Sequence, residues 1–182
     1  MSFFSRLIPA SRRGQRNFER GRAAEQRGDI AAAKAHFHQG ALDYDSHLEA
    51  REKARRPVHP SHLVRAGICY VRIGRDSDAL RVFERALTVK EIPDAFLHAG
   101  YAAAKLGDRE AAVRFWSGYP AWAGQAVIAR TLTLQVAAIA AGADLDAACR
   151  AVATAVRGQD RENAKARPTI RHSRPVPPHR GY

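Results

Sequence analysis

HLVRAGICYVRIGRDSDALRVF, residues 62–83, reads as two helices joined by a glycine turn. Leu63, Ala66, Gly67 and Tyr70 recur at helical spacing before the turn. Ala79, Val82, Phe83, Ala86 and Leu87 do so after it. Between them, Gly74 can take the left-handed conformation that closes a helix, and Asp76 stands where it can cap the next one. The same grammar recurs on both sides. NFERGRAAEQRGDIAAAKAHF (17–37) turns at Gly28-Asp29, and AFLHAGYAAAKLGDREAAVRFW (95–116) turns at Gly107-Asp108.

The period carries the fold. Gly74 and Gly107 lie 33 residues apart, and Gly28 and Gly74 lie 46 apart, one period plus about twelve inserted residues. Gly21, Gly67 and Gly100 occupy matching places in the first helix of each pair, and Ala33, Ala79 and Ala112 match in the second. Phe37, Phe83 and Trp116 follow one turn later. Small residues let two antiparallel helices approach, and the aromatic fills the space beside the crossing. Units of this length that repeat in phase stack into solenoids.

These positions resemble the tetratricopeptide repeat (TPR) family over about 130 residues. The match is fullest at 61–90, good at 94–120 and weaker at 15–44, where Gly40 stands in place of the usual alanine. The resemblance implies an all-α, right-handed helix–turn–helix solenoid of about three repeats, with pairs at 14–44, 61–90 and 93–119. A degenerate capping pair is expected at 128–157, where Gly142, Ala147 and Ala151 keep the spacing without the aromatic. Residues 1–13 form a basic and apolar flank. The insertion, 45–60, reads as an added helical turn or a prolonged second helix ended by Pro57 and Pro60, with Ser46 and Glu49 at capping-box spacing.

The net charge of +12 sits mainly at the ends. Residues 1–27 hold seven basic against two acidic residues, and 158–182 hold six against two. Four of the nine prolines fall in 158–182, so this segment is expected to be a disordered basic tail. Basic ends attract anionic surfaces. The opening MSFFSRLIPASRR puts its apolar residues before its charges, the reverse of a secretory signal. The longest apolar run, 127–143, contains Arg130 and is too short to span a bilayer. A cytoplasmic protein is expected, with a membrane-surface role disfavoured. The alanine- and arginine-rich usage resembles high-GC bacterial coding.

No phosphate-cradling loop, dinucleotide fingerprint, nucleophile elbow or H-E-x-x-H motif occurs. His36 and His38 point to different faces of a helix. His59 and His62 flank Pro60 near a helix start, where capping or solvated roles outweigh metal binding. Cys69 and Cys149 read as small buried residues. A non-catalytic chain is therefore expected, without metal or cofactor.

In the resembled family, the first helices of successive pairs line a groove. The register places Phe18, Arg22, Val64, Ile68, Arg72, Leu97, Tyr101, Lys105 and Leu132 there, with Arg22, Arg72 and Lys105 along one edge. The apolar members form either an exposed binding floor or packing against neighbouring repeats or the chain's own N-terminal segment. One family subclass grips a C-terminal carboxylate. Its matching positions here are Phe18, Arg22, Arg65, Asp94 and His98, which lack the asparagines and add a repelling carboxylate. The expected partner is instead a protein segment, an amphipathic helix or extended peptide with acidic residues. The function that follows is a scaffold or adaptor, such as an assembly factor. The alternative is association with nucleic acid or another anionic surface through the basic ends, with Arg12, Arg13, Arg16, Arg20 and Arg22 closely spaced.

Overall fold

The computed structural model describes residues 8–166. Among them are eight α-helices and no strand. They are α1 (Ala10–Gln26), α2 (Ile30–Lys53), α3 (Pro60–Arg72), α4 (Asp76–Leu87), α5 (Pro93–Lys105), α6 (Arg109–Ser117), α7 (Ala126–Ala140) and α8 (Leu145–Ala166). Each helix packs on the next through α6, and α1, α3 and α5 also touch in a row.

The hairpin turns share one closure. Gly28, Gly74 and Gly107 have φ of +79°, +79° and +82°, a region open to glycine at little cost. In each, the next amide donates back to a carbonyl in the last turn of the preceding helix: Asp29 to Ala24 (3.0 Å), Arg75 to Tyr70 (2.9 Å) and Asp108 to Ala103 (3.0 Å). Gly142, with φ +95°, repeats this at the end of α7, where Ala143 donates to Ala138 (2.9 Å). Asp29 and Asp108 then cap α2 and α6 by accepting from the amides of Ala32 and Ala111. Asp76 does not cap α4. Arg75 intervenes there, pairing with Asp78 and Asp45 (each 2.7 Å) and lying over the Tyr70 ring.

The inserted residues prolong α2 to 24 residues, about 36 Å of helix. No new helix starts at Ser46: its hydroxyl donates to Leu42 O, and Glu49 pairs with Lys53. The helix ends where Arg55 takes φ +50°, just ahead of Pro57.

Packing follows the small-to-large register. Gly21 faces Phe37, Gly67 faces Phe83 and Gly100 faces Trp116, always sixteen residues on. All three aromatics are buried, and Trp116 Nε1 also donates to Leu97 O at 3.0 Å.

The last four helices depart from a simple continuation. α7 packs on α6 and α8, and α5 takes its next neighbour in α8 rather than α7. α5, α6, α7 and α8 thus close a ring. α8 runs antiparallel to α5, with Asp146 beside Lys105 and Cys149 beside Tyr101.

Two boundaries need correction. α1 begins at Ala10, so part of the expected N-terminal flank is helix, while residues 1–7 lie outside the described residues. α8 continues to Ala166, into the segment expected as disordered tail. Gln159 is buried there, and its Oε1 accepts from the Val127 amide at 3.0 Å, capping the start of α7. The rest of that tail, 167–182, lies outside the described residues.

Candidate interaction surface

The row α1, α3, α5 brings together eight of the nine residues the sequence assigned to a groove. Phe18 and Arg22 stand on α1, Val64, Ile68 and Arg72 on α3, and Leu97, Tyr101 and Lys105 on α5. Leu132 does not join them. It is fully buried on α7, the helix between α6 and α8.

Of the two readings of the apolar floor, exposure fails and packing within the fold holds for Val64, Ile68 and Leu97. Val64, Ile68 and Leu97 are 7, 3 and 2% accessible, and Phe18 is half-buried, edge-on to Phe37 at 6.4 Å between ring centroids. Packing between neighbouring first helices accounts for part of this. On the α5 side, α8 adds to the packing: its Ala148, Cys149, Val152 and Ala155 are buried and its Val156 packs against the core, in a helix that lies against α7 and α5. These positions recur at helical spacing along one face of α8.

The three edge cations are engaged as well. Arg72 Nε contacts Glu25 Oε1 at 2.6 Å, tying α3 to α1. Lys105 Nζ pairs with Asp146 Oδ1 at 3.0 Å, and Arg22 Nη2 with Asp160 Oδ2 at 3.6 Å. Both carboxylates belong to α8. The helix therefore lies along α5, and near its end a single ion pair links it to α1. Asp144 caps α8, accepting from the Ala147 amide at 2.7 Å, and Asp146 serves the ion pair.

His98, from the positions compared with carboxylate-gripping sites, is buried in this region and stacks on Phe83 with ring centroids 6.0 Å apart. Burial first, then the charges of Arg72 and Arg22, holds its pKa down to about 3, so the ring is neutral near pH 7. Beside α8 a depression remains open, lined by Tyr101, Lys105, Cys149, Ala153 and Arg157 among others.

The basic cluster on α1 divides into two sets. Arg13 donates to Asp43 (2.9 Å) and to Ile8 O (2.8 Å), and Arg22 turns to α8. Arg12, Arg16 and Arg20 are exposed one turn apart, with Arg27 on the same side, and no ion pair is formed by any of the four among the described residues.

The histidine pair near Pro60 takes up structural bonds. His59 Nδ1 accepts from the Ser61 amide at the start of α3, and His62 Nδ1 lies 3.1 Å from His47 Nε2 on the prolonged α2. No group of three metal-ligating side chains converges among the described residues. Cys69 and Cys149 are buried free thiols whose pKa values burial pushes up to about 12 and about 11, away from nucleophilic character. Among the described residues no helix is long and apolar enough to cross a membrane.

Sequence reasoning placed the residues of α1, α3 and α5 together but missed the packing of α8 on α5. The signal was present: α8 carries an apolar stripe, and its two pairing aspartates lie fourteen residues apart, about four helical turns. Comparison with protein-family models and with curated proteins returned no match.

Proposed function

We propose that this chain is a non-catalytic cytoplasmic adaptor of the TPR type. Its three hairpins form a right-handed solenoid, closed by α7 and α8, and the row α1–α3–α5 is the concave side. Its partner is an amphipathic protein helix bearing carboxylates. The observation that carries the reading is the Gly–aromatic pairing, repeated three times at sixteen residues, beneath a row of helices edged by Arg22, Arg72 and Lys105. Such stacks build extended surfaces that hold other polypeptides.

A second reading rests on the exposed arginines along α1 and just past its end. Arg12, Arg16, Arg20 and Arg27 form a cationic strip suited to a polyanion. Site-specific photo-crosslinking in intact cells separates the two. A crosslinker at Tyr101 should capture a protein, in an adduct that survives nuclease and high salt. Adducts found only at Arg16, and abolished by nuclease treatment, would transfer the function to the cationic strip.

A further inference from the structure

The groove of the proposed adaptor already holds a helix of the kind it was expected to bind. α8 is amphipathic, packs small apolar residues against α7 and against α5 at the edge of the row, and sets one carboxylate at each end against a row cation. Asp146 meets Lys105 on α5, and Asp160 meets Arg22 on α1.

The apolar side chains it buries are smaller than those that fill the hairpins. The hairpins are filled by Phe37, Phe83 and Trp116, whereas α8 contributes chiefly alanine, cysteine and Val152. Less apolar area per residue leaves water, so less is forfeited when the helix lifts. Both end pairs are solvent-accessible, and such pairs are weak and screened by salt. The α7–α8 turn, centred on Gly142 with φ +95°, is short, and the Gly–aromatic contacts of the three hairpins involve no residue of α8.

Resting on the adaptor reading, we infer that α8 is a tethered stand-in for the partner helix. The partner presents two carboxylates about four turns apart, flanking a strip of small apolar residues, and it binds by displacing α8. Local segments of low apolar burial open independently of the rest of a fold, and an intramolecular occupant lowers apparent affinity by the fraction of chain left closed.

The test uses the full chain. Asp146→Lys with Asp160→Lys sets like charges against Lys105 and Arg22 but leaves the row untouched. The probe is a labelled synthetic peptide of residues 145–160 carrying Cys149→Ser. Amide exchange across 145–160 should accelerate at least tenfold in the variant, with 60–117 unchanged. The peptide should bind the variant at least tenfold more tightly than the parent chain, and a peptide with both aspartates reversed should bind neither. Asp160→Asn, a milder change at an exposed site, should shift both readouts in the same direction if the double variant does not fold. Unchanged exchange in 145–160, or loss of protection in 60–117 together with it, would overturn the inference and leave the adaptor reading standing. An opened α8 without peptide binding would instead sink the concave face as a helix site. A concentration-dependent dimer would assign the place to a second copy's α8 and overturn the external partner.

Discussion

Trp116 lies across Gly100, and a Cβ placed on that glycine would stand 2.3 Å from the indole Cδ1. Gly67 and Phe83 repeat the relationship at 2.5 Å. Replacing glycine by alanine inside a helix ordinarily gains about 1 kcal/mol from backbone entropy. Here the ring is buried and cannot swing aside, so overpacking of about 1–3 kcal/mol prevails. Gly100→Ala and Gly67→Leu should both lower stability in urea titration, Gly67→Leu more. Gly158 is the contrast. A Cβ there meets only Val127 Cγ1 at 3.5 Å, an ordinary contact. Gly158→Ala should therefore stabilise by about 0.5–1 kcal/mol. Equal effects at Gly100 and Gly158 would refute the packing account.

The same pairs show why the hairpins were legible and their cover was not. A hairpin writes its register locally: glycine, turn, alanine and aromatic lie within about twenty residues, and Gly21–Phe37, Gly67–Phe83 and Gly100–Trp116 match in phase. The fourth pair keeps that local grammar too, including its left-handed Gly142. Nothing local distinguishes α7 continuing the row from α8 folding back upon it. That choice depends on contacts distant in sequence: the packing of α8 on α5, and the pairs Asp146 with Lys105 and Asp160 with Arg22. Each of these charges alone reads as a solvated residue. Gln159 is hidden for the same reason: a polar residue in a basic, proline-rich stretch gives no sign that it caps another helix.

Gln159 makes that cap testable. Its Oε1 accepts from the Val127 amide at 3.0 Å, and the residue is 7% exposed. Gln159→Ala should cost about 0.5–2 kcal/mol, the usual range for losing a cap. Truncation after Gly158 removes the same bond together with Asp160, and should cost at least as much. Unchanged unfolding midpoints in both chains would show that α7 starts without help from α8.

His98 sets a pH dependence. Burial holds its pKa at about 3 in the folded chain, against 6.5 for the ordinary side chain. Between those values the unfolded chain binds a proton that the folded chain refuses. Stability therefore rises with pH through this window and declines as pH falls below about 6.5, at up to about 1.4 kcal/mol per pH unit. His47 and His62, whose pKa values are also lowered, first by burial, act in the same direction. Urea titrations at pH 7.5, 6 and 5 should show the decline. His98→Leu should remove about one proton's worth of the slope below pH 6, leaving the share of the other two. A slope unchanged by that substitution would mean that His98 is solvated.

Arg12, Arg16 and Arg20 stand exposed one turn apart on α1, while Arg13 and Arg22 are held by Asp43 and Asp160. Any polyanion meeting this chain should engage the exposed set first. Replacing Arg12, Arg16 and Arg20 by glutamine should weaken binding of a DNA duplex at low salt. It should also flatten the dependence of log affinity on log salt by about 0.9 for each phosphate no longer neutralised. Arg22→Gln should leave that slope unchanged, because its guanidinium points to α8. Fluorescence anisotropy over a salt series reads both quantities. Equal weakening by the triple variant and by Arg22→Gln would place the DNA on the row beneath α8, and the two surfaces would then compete rather than act apart.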